Sequence, residues 1–308
     1  MELKMEILLA TYNGEKFLRE QLDSLLKQTW KQWHLTVSDD GSTDGTVAIV
    51  DEYAERYPEC IRRVYHKGRF GNARDHFFWL MGESSAPYLM FCDQDDVWHD
   101  DKVEKTMKAM LCEEAKHEPD TPILVFTDLT PVDESLHPIQ QSLMKMQQQN
   151  PKAISYEQIL FQNIVTGCTV AVNQALAKLA DRCRSIDGIV MHDWWLAIVA
   201  ARYGQIVYVN ECTMDYRQHS SNSVGAQDVR SVSYICYKVK HLNDFRKHVM
   251  DKKRQALVFK DTYEKDLRKD ELKFLAEFGM PKSPMRFKWS YLKWIQTPLR
   301  KVGFWLKW

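Results

Sequence analysis

The stretch Leu89-Met90-Phe91-Cys92-Asp93-Gln94-Asp95-Asp96-Val97-Trp98 constrains this chain more than any other. The apolar run over residues 87–92 reads as a short buried strand, and it breaks into three carboxylates within four residues. Burying that much like charge without a counter-ion costs many kcal/mol. A divalent cation offsets the cost, and the loop past a strand's carboxyl end is where ligands bind in open α/β sheets. Hard oxygen ligands suit Mg²⁺ or Mn²⁺, which bridge carboxylates to substrate phosphates. Asp93 and Asp95 are therefore candidate ligands of a metal–diphosphate site. The competing reading is a solvated acidic turn capping a helix that starts near Asp100, and an isolated Asp-x-Asp does not separate the two.

The context of that stretch favours the ligand site. Residues 5–10, 34–38 and 61–66 are short β-rich apolar runs, and each of the first two ends in turn chemistry: Thr11-Tyr12-Asn13-Gly14, then Asp39-Asp40-Gly41-Ser42-Thr43-Asp44-Gly45. Helical spacing fills the intervals at 15–28, 46–57 and 72–81. Strands alternating with helices in this way predict an α/β fold with an open, doubly wound, mostly parallel sheet. Right-handed crossovers then put the loops after residues 10, 38 and 92 on one edge. Thr11, Tyr12, Asp39, Asp40, Asp93, Gln94 and Asp95 are expected to share one crevice. For a nucleotide diphosphate, Tyr12 offers a ring on which a base stacks, and Asp39 accepts from a base imide or a ribose hydroxyl. Ser42, Thr43 or Asp44 equally suits a helix N-cap. Neither Gly-x-Gly-x-x-Gly nor a P-loop follows the first strand, which argues against a dinucleotide fold or a P-loop enzyme.

Length and composition bound the rest. The 308 residues suffice for one large or two modest domains, and 44% hydrophobic content supports a real core. A formal net charge of +0 gives no global bias toward nucleic acid. Seven scattered cysteines without Cys-x-x-Cys fit reduced thiols better than disulfides or zinc. The first apolar run is too short for a signal segment, and no apolar stretch approaches the ~18 residues that span a bilayer.

Further along, residues 123–128 read as a strand and 130–152 as a long loop. Residues 155–161 read as a helix, 165–172 as a strand and 175–183 as a helix. His192-Asp193-Trp194-Trp195 then opens a helix reaching about residue 203. Asp193 is a candidate general base, or else a first-turn carboxylate favoured by the helix dipole. Trp194 and Trp195 are either an apolar platform for an acceptor sugar or core residues. After a strand at 206–210, Arg217 suits a phosphate, and His219 suits a third metal ligand, a phosphate donor or a structural role. Residues 229–278 read as one or two long helices. The segment 282–308 carries seven Lys/Arg, no Asp/Glu and four of the ten tryptophans. Basic residues among Trp, Phe and Leu mark an interfacial amphipathic segment, or else aromatics that pack back on the main domain.

Ala10-Thr11-Tyr12-Asn13-Gly14, Ser38 through Asp44, Gly68 through Asn72, Asp93 through Trp98, His192 through Trp195 and Arg217 through Asn222 together closely resemble glycosyltransferase family 2, in its bacterial rhamnosyltransferase-like branch. The resemblance covers about residues 4–225. It implies the A-type glycosyltransferase fold, dependence on Mg²⁺ or Mn²⁺, and inversion at the anomeric carbon. Carried over, Thr11 and Tyr12 hold the base, Asp39 bonds it, and Asp40 lies nearby in the nucleotide pocket. Asn72 lies near the ribose or diphosphate, and Asp93 and Asp95 form the metal motif. Asp193 is the base, and Arg217 and His219 contact diphosphate or metal. The basic run Arg69-Phe70-Gly71-Asn72-Ala73-Arg74 departs from the family pattern, so Arg69 and Arg74 receive no role.

The expected organisation is a catalytic domain over 1–226, with a nucleotide-binding half at 1–98 and an acceptor half at 99–226. A helical extension over 227–308 ends in the basic aromatic tail. The expected activity moves a sugar from a nucleotide diphosphate donor, dTDP-rhamnose or a UDP-hexose, to a lipid-linked saccharide in bacterial surface polysaccharide synthesis. The expected location is the inner face of the cell membrane, on the cytoplasmic side, with no nucleic-acid partner. The alternatives are a non-catalytic nucleotide-sugar-binding or scaffold protein, and a sugar-1-phosphate nucleotidyltransferase. The latter would need a Gly-rich basic loop after the first strand, where Thr11-Tyr12-Asn13-Gly14-Glu15 stands.

Overall fold

Runs of mostly apolar residues build the middle of a sheet covered on both faces. β1 (Met5–Thr11), β2 (Trp33–Asp39) and β4 (Tyr88–Cys92) are such runs, and they pair in parallel with one another and with the edge strand β3 (Ile61–Val64), whose two arginines suit an edge. The computed structural model describes residues 4–183, 185–219 and 242–280. The remaining strands are β5 (Val97–Trp98), β6 (Ile123–Val132), β7 (Val170–Asn173) and β8 (Gln205–Arg217). They complete an eight-stranded sheet in the order β3-β2-β1-β4-β7-β6-β8-β5.

Four of the seven strand pairings are parallel. β7 runs antiparallel between β4 and β6, so the second half of the sheet is mixed. Residues 165–172, read from sequence as one strand, are split. Gly167–Thr169 forms a 3-10 turn and only the following residues join the sheet. β8 is longer than its apolar pattern indicates. Its pairing with β6 shifts register around Asp128, and β5 pairs with its far end. That far end is how Arg217 and His219 reach the loop carrying Asp95.

Helices cover both faces: α1 (Leu18–Leu26), α2 (Thr46–Arg56) and α4 (Lys102–Glu114) pack over one core, and α3 (Ala73–Gly82), α6 (Tyr156–Phe161), α7 (Gln174–Ala180) and α8 (His192–Tyr203) over the other. α3 starts where Asn72 accepts from the amide of Asp75 at 2.9 Å. α6 starts at a capping box formed by Ser155 and Gln158. The stretch 130–152 read as loop contains α5 (Leu143–Met146), capped by Ser142.

Two further helices, Leu242–Thr262 and Lys269–Gly279, follow. Phe259, Tyr263, Leu275 and Phe278 join the same core as α8, with Trp195 stacked on Tyr263 at 6.1 Å between centroids. An ion pair between Arg202 and Glu271 crosses the same contact. No helix among the described residues is long and apolar enough to cross a membrane. Residues 220–222 of the Arg217–Asn222 block, 229–241 of the expected helices and the whole 282–308 tail lie outside the described residues.

Candidate active site

The loops after β1, β2 and β4 meet at one edge of the sheet, as strand order requires, and they are laced together by side chains. Gln94 makes two bonds to the main chain of Tyr12: its Oε1 accepts from the Tyr12 amide at 2.8 Å, and its Nε2 donates to the Tyr12 carbonyl at 3.0 Å. Gly14 permits this contact, because a Cβ there would overlap the Gln94 carboxamide. Asn13 takes a left-handed conformation, φ 48°, and its side-chain Oδ1 accepts from the Thr43 amide at 2.8 Å. Asp40 is buried and accepts from the amides of Phe70 at 2.6 Å and Gly71 at 2.7 Å. A buried carboxylate that receives two amide donors is well satisfied, and it folds the Gly68–Asn72 loop over the cleft.

The cleft has a volume of 520 Å³, a size suited to a small-molecule ligand. Thr11, Tyr12, Asp40, Asn72, Asp93, Gln94, Asp95 and Asp193 all line it. The first seven come from the nucleotide-binding half expected from sequence. Asp193 comes from 100 residues further on and closes the opposite wall. It stands in the first turn of α8, where the helix dipole favours its ionised form. Burial outweighs that and pushes its carboxyl up to about 7. Opposing the rise are bonds to its charged form from the amide of Trp194, the side-chain amide of Asn163 at 3.3 Å, and the backbone of Gly167. Asp93 is likewise pushed up to about 7, by burial first and then by the negative charges of Asp95 and Asp193.

Four carboxylates thus face one cleft, with Arg69 the only arginine or lysine lining it among the described residues. Such a site repels a diphosphate unless a cation joins it. His219 Nε2 lies 2.8 Å from Asp95 Oδ2, so the third expected ligand stands beside the second. Asp93, Asp96 and Cys168 also place donor atoms within 4.8 Å of one another. Burial holds the Cys168 thiol well above its ordinary range and therefore protonated, which makes it a poor ligand for a hard ion. Asp96 is fully buried and accepts from the Arg217 amide at 3.1 Å. By donor chemistry the carboxylates of Asp93 and Asp95 and the imidazole of His219 suit Mg²⁺ or Mn²⁺, although His219 reaches Asp95 from outside the cleft wall and the three are not drawn together as closely as Asp93, Asp96 and Cys168.

Asp39, Trp194, Trp195 and Arg217, all expected at the site, do not line the cleft. Trp195 is wholly buried, donating its indole N–H to the Ala180 carbonyl at 3.1 Å. Trp194 donates to the Ile159 carbonyl at 2.7 Å and lies among the core residues of α8. Beyond His192 and Asp193, α8 is buried between the sheet and the helices around it, and neither tryptophan lines the cleft. Arg217 is not a cleft residue: its guanidinium is buried over the Phe17 ring and donates to the carbonyls of Asp95 and Glu134 and to the Glu20 carboxylate. These bonds tie the Asp95 loop to α1 and to the Glu134 turn. Asp39 also lies outside the cleft wall, and its carboxylate already accepts four bonds, from the Thr11 and Ser42 hydroxyls and the amides of Gly41 and Ser42. That fills its accepting capacity, so it organises the loop.

Sequence reasoning missed part of the wall. Arg69, left without a role, lies over the exposed Tyr12 ring at 4.4 Å. Gln147 and Gln149, in the stretch read as loop, and Asn163, Thr166 and His192 line the remainder. Of these, only His192 carried a signal, its place beside Asp193. Gln147, Gln149 and Asn163 sit in stretches without periodicity or motif, and Thr166 in a run read only as a strand.

Comparisons with known proteins bear on the family and the fold. The family described as glycosyl transferase family 2 matches residues 6–176. The chain is 28% identical over 227 residues to the dTDP-rhamnosyl transferase RfbG of Shigella flexneri, covering 71% of this chain and 74% of that protein. Among solved structures it is similar to residues 1–349 of S. aureus TarS in complex with UDP-GlcNAc, with a TM-score of 0.58 and 17% identity over 98% of this chain and 83% of that one. It is also similar to the mannosyltransferase PcManGT of Pyrobaculum calidifontis in complex with GDP-Man and Mn²⁺, with a TM-score of 0.52 and 15% identity over 98% and 80%. At these identities the structural likenesses speak for the fold.

Proposed function

The chain belongs to glycosyl transferase family 2, and from that premise we propose a metal-dependent, inverting transfer of a sugar from a nucleotide diphosphate donor to a saccharide acceptor. The observation that carries the reading is that Asp193, Asp93 and Asp95 line a single cleft, close enough that the charge of Asp193 is felt at Asp93. Tyr12 and Arg69 receive the base, and Thr11, Asp40 and Asn72 line the nucleotide side. Asn72 caps α3, whose N-terminal amides favour an anion there. Asp93, Asp95 and His219 are the groups that would hold a divalent cation. A cation there compensates charge on a departing diphosphate.

Asp193 takes the proton from an acceptor hydroxyl. The freed oxygen forms its bond to the anomeric carbon from the face opposite the diphosphate, as the carbon–oxygen bond to the diphosphate breaks. A single displacement inverts that centre. The name of RfbG supports dTDP-rhamnose as the donor, with UDP-hexoses the other candidates. The acceptor is a lipid-linked saccharide of a bacterial surface polysaccharide, reached from the inner membrane face. The basic aromatic sequence at 282–308 supports that location.

A panel of nucleotide sugars with Mn²⁺, read by donor hydrolysis and by protection against thermal unfolding, tests the donor assignment. The expected result is selective protection by one donor that needs the cation. Asp193→Asn should retain this protection while transfer falls by three orders of magnitude or more. Persistent transfer in that variant overturns the assignment of the base.

A further inference from the structure

His192 immediately precedes Asp193 and lines the same cleft, yet the mechanism above gives it no part. The imidazole is 95% buried, wedged against Phe77 at 4.4 Å and Phe91 at 4.9 Å between centroids. Both of its ring nitrogens are buried without a hydrogen-bond partner. Leaving even one buried polar atom unpaired is costly, and a native structure with two on one ring calls for an explanation. Burial also holds the ring far below its ordinary range, at about 3, so it is neutral wherever the protein works. A neutral imidazole offers one donor and one acceptor, the same pair a hydroxyl offers. Gly167 lets the chain pass close to the ring, since a Cβ there would come within 3.1 Å of its Nε2.

Phe91 stands in β4 two residues before Asp93, and His192 shares the cleft with Asp93 and Asp95. Resting on the glycosyl-transfer reading, we infer that His192 is a donor-sugar contact, its imidazole hydrogen-bonded to a hydroxyl of the sugar being transferred. A substrate hydroxyl then supplies the partner that the folded chain withholds. A site that pairs a buried polar group with a substrate hydroxyl rejects analogues lacking it far more strongly than an apolar pocket rejects a missing methylene. His192 is therefore a determinant of donor choice as well as of affinity.

The test compares the affinity of the donor selected in the panel with that of its bare nucleoside diphosphate, both with Mn²⁺, in His192→Phe and His192→Asn. Phe continues the packing against Phe77 and Phe91 but cannot hydrogen-bond; Asn retains a donor and an acceptor. The expected result is nucleoside diphosphate binding within twofold of wild type in both. Donor affinity falls about ten- to a hundredfold in His192→Phe, with partial recovery in His192→Asn. Should Phe fail to fold, the same ratio is read in His192→Asn against a donor deoxygenated at one hydroxyl: wild type discriminates and the variant does so less. Unchanged donor affinity in a folded His192→Phe overturns the inference. Asp193→Asn keeps the two questions apart, because loss of transfer there with unchanged His192→Phe binding leaves the glycosyl-transfer reading intact and removes only this one.

Discussion

At the residue scale the cleft is a collection of acids kept in an unfavourable place. Asp93 and Asp193, both raised to about 7 from 3.8, hold protons in the folded protein that the unfolded chain has released. Folded protein therefore binds more protons than unfolded between about pH 4 and pH 7, and stability falls as pH rises through that window. Thermal unfolding without divalent cation should show a midpoint that drops from pH 5 to pH 7.5. Asp93→Asn and Asp193→Asn should each raise the midpoint at pH 7.5 by several degrees, at about 2–4 °C per kcal/mol for a chain of this size. A midpoint that climbs with pH would contradict it. Catalysis runs the other way, because the base works ionised: turnover should rise about tenfold per pH unit on the acid side and level off. Mn²⁺ at Asp93 should carry that limb below about pH 7, since a nearby cation favours the charged carboxylate. Much of this was legible in the sequence, where the acidic triplet after an apolar run announced a ligand loop. The saturation of Asp39 was not, because it depends on Thr11 and Ser42 turning their hydroxyls toward it.

At the scale of elements, β8 decides which residues meet. Its register shifts against β6 and its pairing with β5 bring Arg217 beneath the Asp95 loop and His219 beside Asp95. Removing the Arg217 guanidinium leaves the carbonyls of Asp95 and Glu134 without that donor. Arg217→Met should weaken Mn²⁺ affinity about ten- to a hundredfold, the range seen when a group supporting a metal ligand is lost. The measurement is titration of Mn²⁺ against thermal protection; unchanged affinity would show the loop holds its shape unaided. Period and turn chemistry located nearly every strand and helix, because each is decided by its own side chains. The bulges in β6–β8, the reversal of β7 and the short α5 were not legible, because each is fixed by a partner strand or covering loop far away in sequence. Trp194 and Trp195 show the same limit: a tryptophan pair at a helix start reads alike whether solvent or another helix lies beyond it.

For the whole molecule, the family match ends at residue 176, while Asp193 and the helices packed on α8 come after it. The two C-terminal helices belong to the same core as α8, through Trp195, Phe259 and Tyr263. The sequence marked a change of character near residue 227 but could not show that these helices return to cover α8. Beyond them lies the basic aromatic segment. Deleting residues 282–308 should release the protein from vesicles containing anionic lipid while leaving hydrolysis of a soluble donor within about twofold of the full chain. Co-sedimentation that survives the deletion would assign membrane attachment elsewhere.

The paired bonds between Gln94 and the Tyr12 main chain have a mechanical consequence. They continue the ladder of the sheet by one more rung, made by a side chain, beyond the point where β1 and β4 have parted. The loops after β1 and β4 are thereby tied to each other at the bed of the cleft, and a displacement of one carries the other with it.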